Sequence, residues 1–324
     1  MNQKLTPTDS RSGAQAGTSP ARRIVSLLPS ATEIVCALGL EHELVGRSHE
    51  CDYPPTVERL PVLTAPRFDP SGSSREVDRR VRAIVSEALS VYRVDAERLR
   101  SLSPGYIVTQ SQCEVCAVSE SDVERAVADW TGTHPQVVSL RTADLDGVWS
   151  DIERVGAALG VADRGLETAA ALRQRASTIR ERAADAGYRP GMACIEWIEP
   201  LMAAGNWMPE MVEIAGGRDL FGKRGGHSPV ISFDDLCAVN PEIILIAPCG
   251  FPIERSLAEL PTLMKDPRWS ELEAVTSGRV LLADGNQYFN RPGPRIAESI
   301  EILAEIIHPT IFHFGHEGSG WQRL

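Results

Sequence analysis

Residues 24–33 read IVSLLPSATE, and this short stretch indicates the fold. Ile24–Leu28 is apolar throughout except for one serine, which predicts a buried strand, and Ser30–Leu38 predicts the helix that follows it. Ser30 and Glu33 have capping-box spacing, so we expect their side chains to satisfy free amides at the start of this helix. A strand that leads directly into a capped helix is typical of a parallel α/β sheet.

The same alternation continues along the chain on both sides of a helical middle. In the first half we expect strands at Leu44–Gly46, Tyr106–Thr109 and Val137–Leu140, a helix over Val77–Leu102 interrupted near Tyr92–Asp95, and a further helix capped by Ser121. In the second half we expect strands at Met192–Ile198, Ile243–Ala247 and Val280–Ala283, with helices at Pro209–Ile214, Ser232–Val239, Ile253–Lys265 and Pro294–Ile307. Strands that alternate with helices predict parallel sheets covered on both faces.

The middle of the chain predicts two helices, Leu145–Leu159 and a second one capped by Asp163 that runs to about Ala186. We therefore divide the chain into a disordered leader (1–21), an N-terminal α/β lobe (22–144), linking helices (145–187), a C-terminal α/β lobe (188–308) and a tail (309–324). Two doubly wound parallel-sheet lobes joined by helices leave a cleft between them, and ligands of such sheets bind beyond the carboxyl ends of the strands.

Composition excludes several classes of protein. The net charge of −11 argues against a nucleic-acid partner, and no segment is long and apolar enough to insert into a membrane. Arg22-Arg23 precedes the apolar stretch Ile24–Leu40, but Pro29 and Glu33 interrupt that stretch, so it does not fit a secretion signal. An odd number of cysteines, 7, does not fit a disulfide framework. We therefore expect a cytoplasmic protein, with export after cleavage of the leader as the alternative.

Polar, aromatic and thiol side chains follow most of the predicted strands. Trp207 stands in a glycine-containing loop, where it offers a stacking surface for a flat ligand or packs beneath the loop. Arg291 can pair with a carboxylate or a phosphate. The candidates for ligand binding at these positions are Pro29, Ser30, His49, Gln110, Glu196, Trp207, Phe251, Tyr288 and Arg291. Their shared position at strand ends predicts one common cleft.

Several thiols and one imidazole also follow strands. Cys113 and Cys116 form a Cys-x-x-Cys pair between a strand and a helix. Such a pair can hold half of a zinc site, form a redox disulfide or remain as structural thiols. The candidate ligands of a transition-metal ion such as Zn or Fe are His49, Cys51, Cys113, Cys116 and Cys249.

Five segments resemble the cobalamin and ferric-siderophore solute-binding proteins of ABC importers. They are residues 24–33, Asp52-Tyr53-Pro54-Pro55, Gly216-Gly217, Ser232–Pro241 leading into Ile243–Ala247, and Pro294-Arg295. The resemblance covers about residues 22–308. It implies two lobes joined by one long rigid helix, with little hinge motion. It also implies a corrinoid held between the lobes, in a cleft lined by Pro29, His49, Tyr53, Gln110, Trp207, Tyr288 and Arg291.

The sequence departs from that family at two places. His49-Glu50-Cys51 precedes Asp52, and Cys113 and Cys116 follow the third strand, where the family often has an aromatic residue. No secretion signal is evident and no acidic residues that dock on a permease can be assigned, which argues against docking on an ABC permease.

We therefore expect a non-enzymatic protein that binds a corrinoid such as cobalamin, or a related metal chelate. The alternatives are a Cys/His transition-metal-binding protein on the same scaffold and a dithiol redox protein that uses Cys113 and Cys116. The sequence shows no Ser-His-Asp order, no phosphate-binding glycine loop and no paired catalytic carboxylates that would indicate an enzyme. The expected partner is a small molecule, not a nucleic acid or a membrane.

Overall fold

The computed structural model describes residues 22–87, 90–111, 118–128 and 134–324. The predictions for the leader (1–21) and for Cys113 and Cys116 lie outside these ranges.

The first lobe is built on a parallel sheet. Its strands are β1 (Ile24–Ser26), β2 (Leu44–Arg47), β3 (Thr64–Pro66), β4 (Tyr92–Val94), β5 (Tyr106–Gln110) and β6 (Gln136–Leu140). The parallel sheet has the order β2-β1-β5-β6, while β3 and β4 form a separate antiparallel pair. The helices of this lobe are α1 (Pro29–Ala37), α2 (Ser74–Ser86), α3 (Ala96–Ser101) and α4 (Glu120–Val127). The predicted alternation of strand and helix is confirmed.

The predicted capping box at the start of α1 is wrong. Leu28 occupies the N-cap position and no side chain caps the helix. Glu33 is buried, with 3% of its surface exposed, and its carboxylate accepts hydrogen bonds from Arg295 in the second lobe. The carboxylate of Glu33 therefore binds the guanidinium of Arg295 and not a backbone amide at the start of α1.

Two further helix boundaries differ from the prediction. The helix expected at Val77–Leu102 is interrupted as predicted, but by β4, which pairs with β3. The fourth helix is capped by Ser119, whose side chain accepts a hydrogen bond from the backbone of Asp122 in a capping box. Ser121, the predicted cap, lies inside that helix.

Two helices link the lobes, α5 (Leu145–Ala158) and α6 (Ala162–Ala184), and they pack against each other. The second one has no side-chain cap, so Asp163 does not have the predicted role. With 23 residues, α6 is roughly 35 Å long. Its buried face carries Ala169, Leu172 and Ala176, which belong to one apolar cluster that continues from α1 through both linking helices into the second lobe.

The second lobe repeats the architecture of the first. Its strands are β7 (Gly191–Trp197), β8 (Met202–Ala203), β9 (Arg218–Asp219), β10 (Ile243–Ile246), β11 (Val280–Ala283) and β12 (Trp321–Arg323). Its helices are α7 (Met208–Ile214), α8 (Phe233–Val239), α9 (Ile253–Leu263), α10 (Glu273–Thr276) and α11 (Ile296–Ile307). The sheet order is β12-β11-β10-β7-β8, with β9 paired to β7. The central strands are parallel, and the edge strands β8 and β12 are antiparallel.

The tail contributes to this sheet through β12, which the sequence analysis did not predict. Glu305 of α11 holds the tail in place: its carboxylate accepts hydrogen bonds from the backbone of Gly315 at 2.6 Å and from the indole of Trp321 at 2.9 Å. His316 adds a contact of 3.0 Å between its Nε2 and the carboxylate of Glu301. The tail is therefore an integral part of the second lobe.

Candidate functional site

A cavity of about 180 Å³ lies between the two lobes, where the parallel strands of both sheets end. On one side its wall consists of residues that follow β1 and β2 and of Gln110 at the end of β5. On the other side the wall comes from β7 and from the segments that follow β8, β10 and β11. The cavity thus occupies the cleft that the sequence predicts.

Six of the ten predicted ligand-binding residues line this cavity: Pro29, Ser30, Gln110, Glu196, Trp207 and Arg291. The other four, His49, Tyr53, Phe251 and Tyr288, do not form part of its wall. The predicted polar side chains and the indole of Trp207 therefore meet at the cavity. Most of the other predicted aromatic and imidazole rings lie outside it.

Each of the four remaining residues has another partner. His49 has its Nδ1 at 2.7 Å from the hydroxyl of Thr64, and Phe251 is 2% exposed. Tyr53 and Tyr288 both stack against the guanidinium of Arg295, at 3.9 Å and 5.5 Å from their ring centres. These interactions hold the rings beside the cleft and not in it.

The position of Trp207 depends on a hydrogen bond and on the neighbouring Gly205, where no side chain fits. Its indole N–H donates a 2.7 Å hydrogen bond to the carbonyl of Phe289. A Cβ on Gly205 would lie 2.5 Å from the carbonyl oxygen of Gly226, so this loop and the segment that carries His227 can only meet without a side chain. The close approach places Asn206, Trp207 and His227 in the same wall of the cavity.

The segments that follow β10 and β11 also meet closely. A Cβ on Gly285 would lie 2.1 Å from the carbonyl oxygen of Pro248, which excludes any other residue at that position. The side-chain amide of Asn290 donates to the carbonyls of Ala247 at 3.2 Å and Gly285 at 2.9 Å. Cys249 and Asn290 therefore lie in adjoining parts of the wall.

Two buried arginines of the second lobe form ion pairs with the first lobe; Glu33 is buried as well, whereas the Asp52 side chain is 31% exposed. Arg291 donates to both carboxylate oxygens of Asp52, at 2.5 Å and 3.0 Å. Arg295 makes a bidentate pair with Glu33, at 2.6 Å and 3.0 Å. Burial alone would raise the pKa of Asp52, but the hydrogen bond and charge of Arg291 outweigh it and hold this pKa below its ordinary value. The two pairs join the lobes at one side of the cleft.

Two carboxyl groups face the cavity from opposite lobes. Burial raises the pKa of Glu50 to about 7, although the charge of Arg291 and a 3.5 Å hydrogen bond from the hydroxyl of Tyr92 act in the other direction. Burial also raises the pKa of Glu196, whose carboxylate oxygens each lie 2.9 Å from the hydroxyl of Ser228. Glu50 and Glu196 are therefore easier to protonate than exposed glutamates.

The predicted metal site is not assembled in the part of the chain that the structure describes. No group of three or more His, Cys, Asp or Glu side chains with metal-binding geometry occurs there. The thiol of Cys51 accepts a hydrogen bond from Thr32, and burial raises its pKa to about 12. Burial, together with the charge of Arg47, lowers the pKa of His49 to about 4. Of the predicted ligands, Cys249 lines the cavity, and Cys113 and Cys116 lie outside the described residues.

The cavity also contains residues that the sequence analysis did not select: Glu50, Asn206, His227, Asn286 and Asn290. Four of them lie in stretches that follow predicted strands, so the rule that identified their neighbours could have found them. His227 follows Gly225-Gly226 in a loop distant from any predicted strand, and only the glycine pair in front of it gives a signal.

A second set of contacts joins the lobes beside the cavity, and we call them the rim contacts. The hydroxyl of Ser74 donates to Glu259 at 2.6 Å, and the guanidinium of Arg255 donates to the carbonyls of Pro70 and Gly72 at 2.9 Å and 3.0 Å. Arg75 and Glu199 form an ion pair across the same boundary. The two lobes are therefore joined by the rim contacts as well as by the ion pairs of Arg291 and Arg295.

This two-lobed fold, with its cavity between the lobes, defines a class of ligand-binding proteins. A family model described as "Periplasmic binding protein" matches residues 24–286, and the chain belongs to that family. The family consists of substrate-binding proteins, which is consistent with a non-enzymatic role and confirms the resemblance seen in the sequence.

Two individual proteins are similar to the chain over most of its length. The chain is 25% identical over 283 residues to the vitamin B12-binding protein of Vibrio cholerae, with 87% of each chain covered. It is 23% identical over 297 residues to an uncharacterised ABC transporter substrate-binding lipoprotein of Bacillus subtilis, covering 90% of this chain and 81% of the relative. The second relative is named as part of an ABC transporter, which runs against the expectation from the sequence that permease docking is absent.

Solved structures confirm the fold. A periplasmic haem-binding protein from Pseudomonas aeruginosa has a TM-score of 0.68 at 23% identity, with 90% of this chain and 94% of that chain covered. The periplasmic vitamin B12-binding protein of Vibrio cholerae has a TM-score of 0.63 at 22% identity, with 89% and 97% covered.

The cytoplasmic location expected from the sequence is wrong. The family is periplasmic by description, and the relatives include a lipoprotein, so these findings point to an exported protein. The expected absence of a secretion signal misled the prediction. Among the described residues, no helix is both long and apolar enough to cross a bilayer.

Proposed function

We propose that this protein captures a corrinoid of the cobalamin type in the cleft between its lobes and delivers it to an ABC permease. Supporting the proposal are the vitamin B12-binding relatives and the substrate-binding lipoprotein among the similar sequences. The observation that carries it is the wall formed by Trp207 and His227, which faces a cavity bounded by both lobes.

The chemistry of that wall suits a flat metal-bearing macrocycle. The indole of Trp207 is anchored through its N–H, so its ring offers stacking area at little cost in side-chain entropy. His227 lies in the same wall, and a neutral imidazole is a common axial ligand of cobalt and iron. We therefore assign to His227 the axial position on the metal of the bound macrocycle.

Ligand entry requires the lobes to separate. The cavity holds about 180 Å³, whereas pockets for drug-sized ligands usually hold ~300–1,000 Å³, and a corrinoid is larger than most such ligands. The rim contacts must therefore open before a macrocycle reaches Trp207. Because α6 and the shared apolar cluster span both lobes, we expect this motion to be small.

Haem is the second candidate ligand. Several similar structures are haem-binding proteins, and His227 would suit iron as well as cobalt. A bare transition-metal ion has no assembled site among the described residues. A redox role of Cys113 and Cys116 concerns residues outside those ranges.

The first experiment is a calorimetric titration of the purified protein with hydroxocobalamin and, separately, with haem. We expect hydroxocobalamin to bind with a micromolar or lower Kd and Trp207→Ala to weaken binding about 5- to 150-fold, the factor that corresponds to the about 1–3 kcal/mol of a base stacked on an aromatic side chain. Tyr188→Ala is the matched control, because Tyr188 is 56% exposed and lies outside the cavity. Tight haem binding without corrinoid binding would refute the proposal.

Absorption spectra test the axial role separately. His227→Gln should shift the visible band of the bound hydroxocobalamin toward that of the water-ligated form, while leaving Trp207-dependent affinity in place. An unchanged spectrum in this variant would show that His227 does not bind the metal.

A further inference from the structure

The wall of the cavity carries two carboxyl groups and, among its described residues, one guanidinium. Glu50 enters the cavity from the first lobe and Glu196 from the second. Among the described residues of its wall, Arg291 is the one arginine or lysine. Its guanidinium already donates to both oxygens of Asp52, at 2.5 Å and 3.0 Å, and to the amide oxygen of Asn286 at 3.2 Å. The positive charge of Arg291 is therefore already paired with the carboxylate of Asp52.

The two carboxyl groups are held by neutral partners. Glu196 accepts from the hydroxyl of Ser228, and Glu50 from the hydroxyl of Tyr92. Burial raises the pKa of both, that of Glu50 to about 7, which fits groups that lack full compensation by a cation. The remaining polar wall residues include the amides Asn206, Asn286 and Asn290.

We infer that Glu50 and Glu196 select a corrinoid whose periphery carries uncharged amides, and reject macrocycles that carry carboxylates. This inference rests on the proposed function and names the ligand class for that same cleft. An amide N–H can donate to either glutamate, whether it is ionised or protonated. When either glutamate is ionised, a ligand carboxylate beside it meets like charge in a site partly shielded from water, where such repulsion is strong.

This selection separates the two candidate ligands of the cleft. The corrin of cobalamin carries acetamide and propionamide side chains, whereas haem carries propionates. A haem propionate binds most strongly to a cation with free hydrogen-bond donors, and Arg291 is already engaged by Asp52. The lining therefore favours the amidated corrinoid.

A pair of matched ligands tests the inference. Dicyanocobinamide carries the amides, and dicyanocobyrinic acid is the same corrin with carboxylates in their place. Cyanide fills both axial positions of each ligand, so His227 cannot contribute to the difference. At pH 7.5 we expect cobinamide to bind at least about tenfold more tightly than cobyrinic acid, as a close like-charge contact of limited solvent exposure implies.

Variants of the two glutamates test whether they cause the difference in affinity between cobinamide and cobyrinic acid. The double variant Glu50→Gln, Glu196→Gln removes both negative charges and keeps the shape of the side chains. We expect it to reduce the ratio of the two Kd values to less than about threefold, mainly through tighter binding of cobyrinic acid. Glu167→Gln is the control, because it removes one charge from an exposed position on α6 and should leave that ratio unchanged. Circular dichroism and thermal melts of each variant verify folding.

The outcomes are distinct. Equal binding of both corrins by the natural protein, or an undiminished ratio of the two Kd values in the double variant, overturns the inference while the proposed function stands. Failure of cobinamide and hydroxocobalamin alike to bind refutes the proposed function, and the inference with it.

Discussion

Replacing Arg295 with methionine should destabilise the protein strongly, because it removes the bidentate partner of the buried carboxylate of Glu33 and leaves that carboxylate only a 3.5 Å contact with Arg291. Glu33 is 3% exposed and Arg295 is 6% exposed, and two hydrogen bonds of 2.6 Å and 3.0 Å join them. Removing one member of a buried pair usually costs about 3–5 kcal/mol. Arg295 also donates to Gln287 at 2.7 Å and stacks on Tyr53, so the upper part of that range applies.

The assay is urea unfolding at pH 7, followed by far-UV circular dichroism. A loss of about 3–5 kcal/mol appears as a lower midpoint at constant slope. The double variant Glu33→Met, Arg295→Met removes both charges and should recover most of the loss, since apolar replacements of a buried pair are often neutral. Arg173→Met is the exposed control: its partner Glu153 lies at 2.7 Å, with side chains 44% and 30% exposed, and the change should cost less than about 1 kcal/mol.

Two results would refute this reasoning. One is a loss below about 1 kcal/mol for Arg295→Met, which would place the pair in the class of solvent-screened ion pairs. The other is a double variant that is as unstable as Arg295→Met, which would show that the loss comes from packing and not from the isolated charge of Glu33.

Four further predictions concern the cleft and the tail. Because the pKa of Glu50 is raised from 4.5 to about 7, the native protein loses stability as pH rises between these values, by up to about 1.4 kcal/mol per pH unit, and Glu50→Gln should flatten that slope in thermal melts. Gly205→Ala should weaken corrinoid binding at least about tenfold in calorimetry, since its Cβ would lie 2.5 Å from a backbone oxygen; unchanged affinity would contradict the assignment. Glu305→Gln should speed hydrogen exchange of the tail amides about tenfold or more, because a charged acceptor of several donors is lost. The hydrogen bond to Glu301 raises the pKa of His316, so the stability that this pair adds to the tail is present at low pH and is lost as pH rises through that raised value. The protection of the tail amides, after correction for the intrinsic base-catalysed exchange rate, should fall accordingly, and Glu301→Gln should weaken this dependence.

The architecture was accessible from the sequence because its signals are local. Apolar runs such as Ile243–Ala247 identify buried strands, and the carboxyl ends of parallel strands share one edge, so the cleft and residues such as Trp207 follow directly. The strand β12 was missed because it has three residues and exists through its pairing with β11.

Side-chain partners were harder to predict because they depend on distant charges. Glu33 has the spacing of a helix cap, yet it binds Arg295, which is 262 residues away in the chain. The same guanidinium attracts Tyr53 and Tyr288, so two rings expected in the cleft stack beside it. His227 follows no predicted strand and enters the cavity only because Gly205 admits its loop.

The rim contacts lower the apparent affinity of the protein for its ligand. They hold the lobes together around a cavity of about 180 Å³, so a macrocycle can enter only from a conformer in which these contacts are open. The apparent Kd is the intrinsic Kd divided by the fraction of open molecules. Weakening a rim contact, for example by Arg255→Ala, therefore enlarges that fraction and strengthens capture, although it removes a hydrogen bond from the protein.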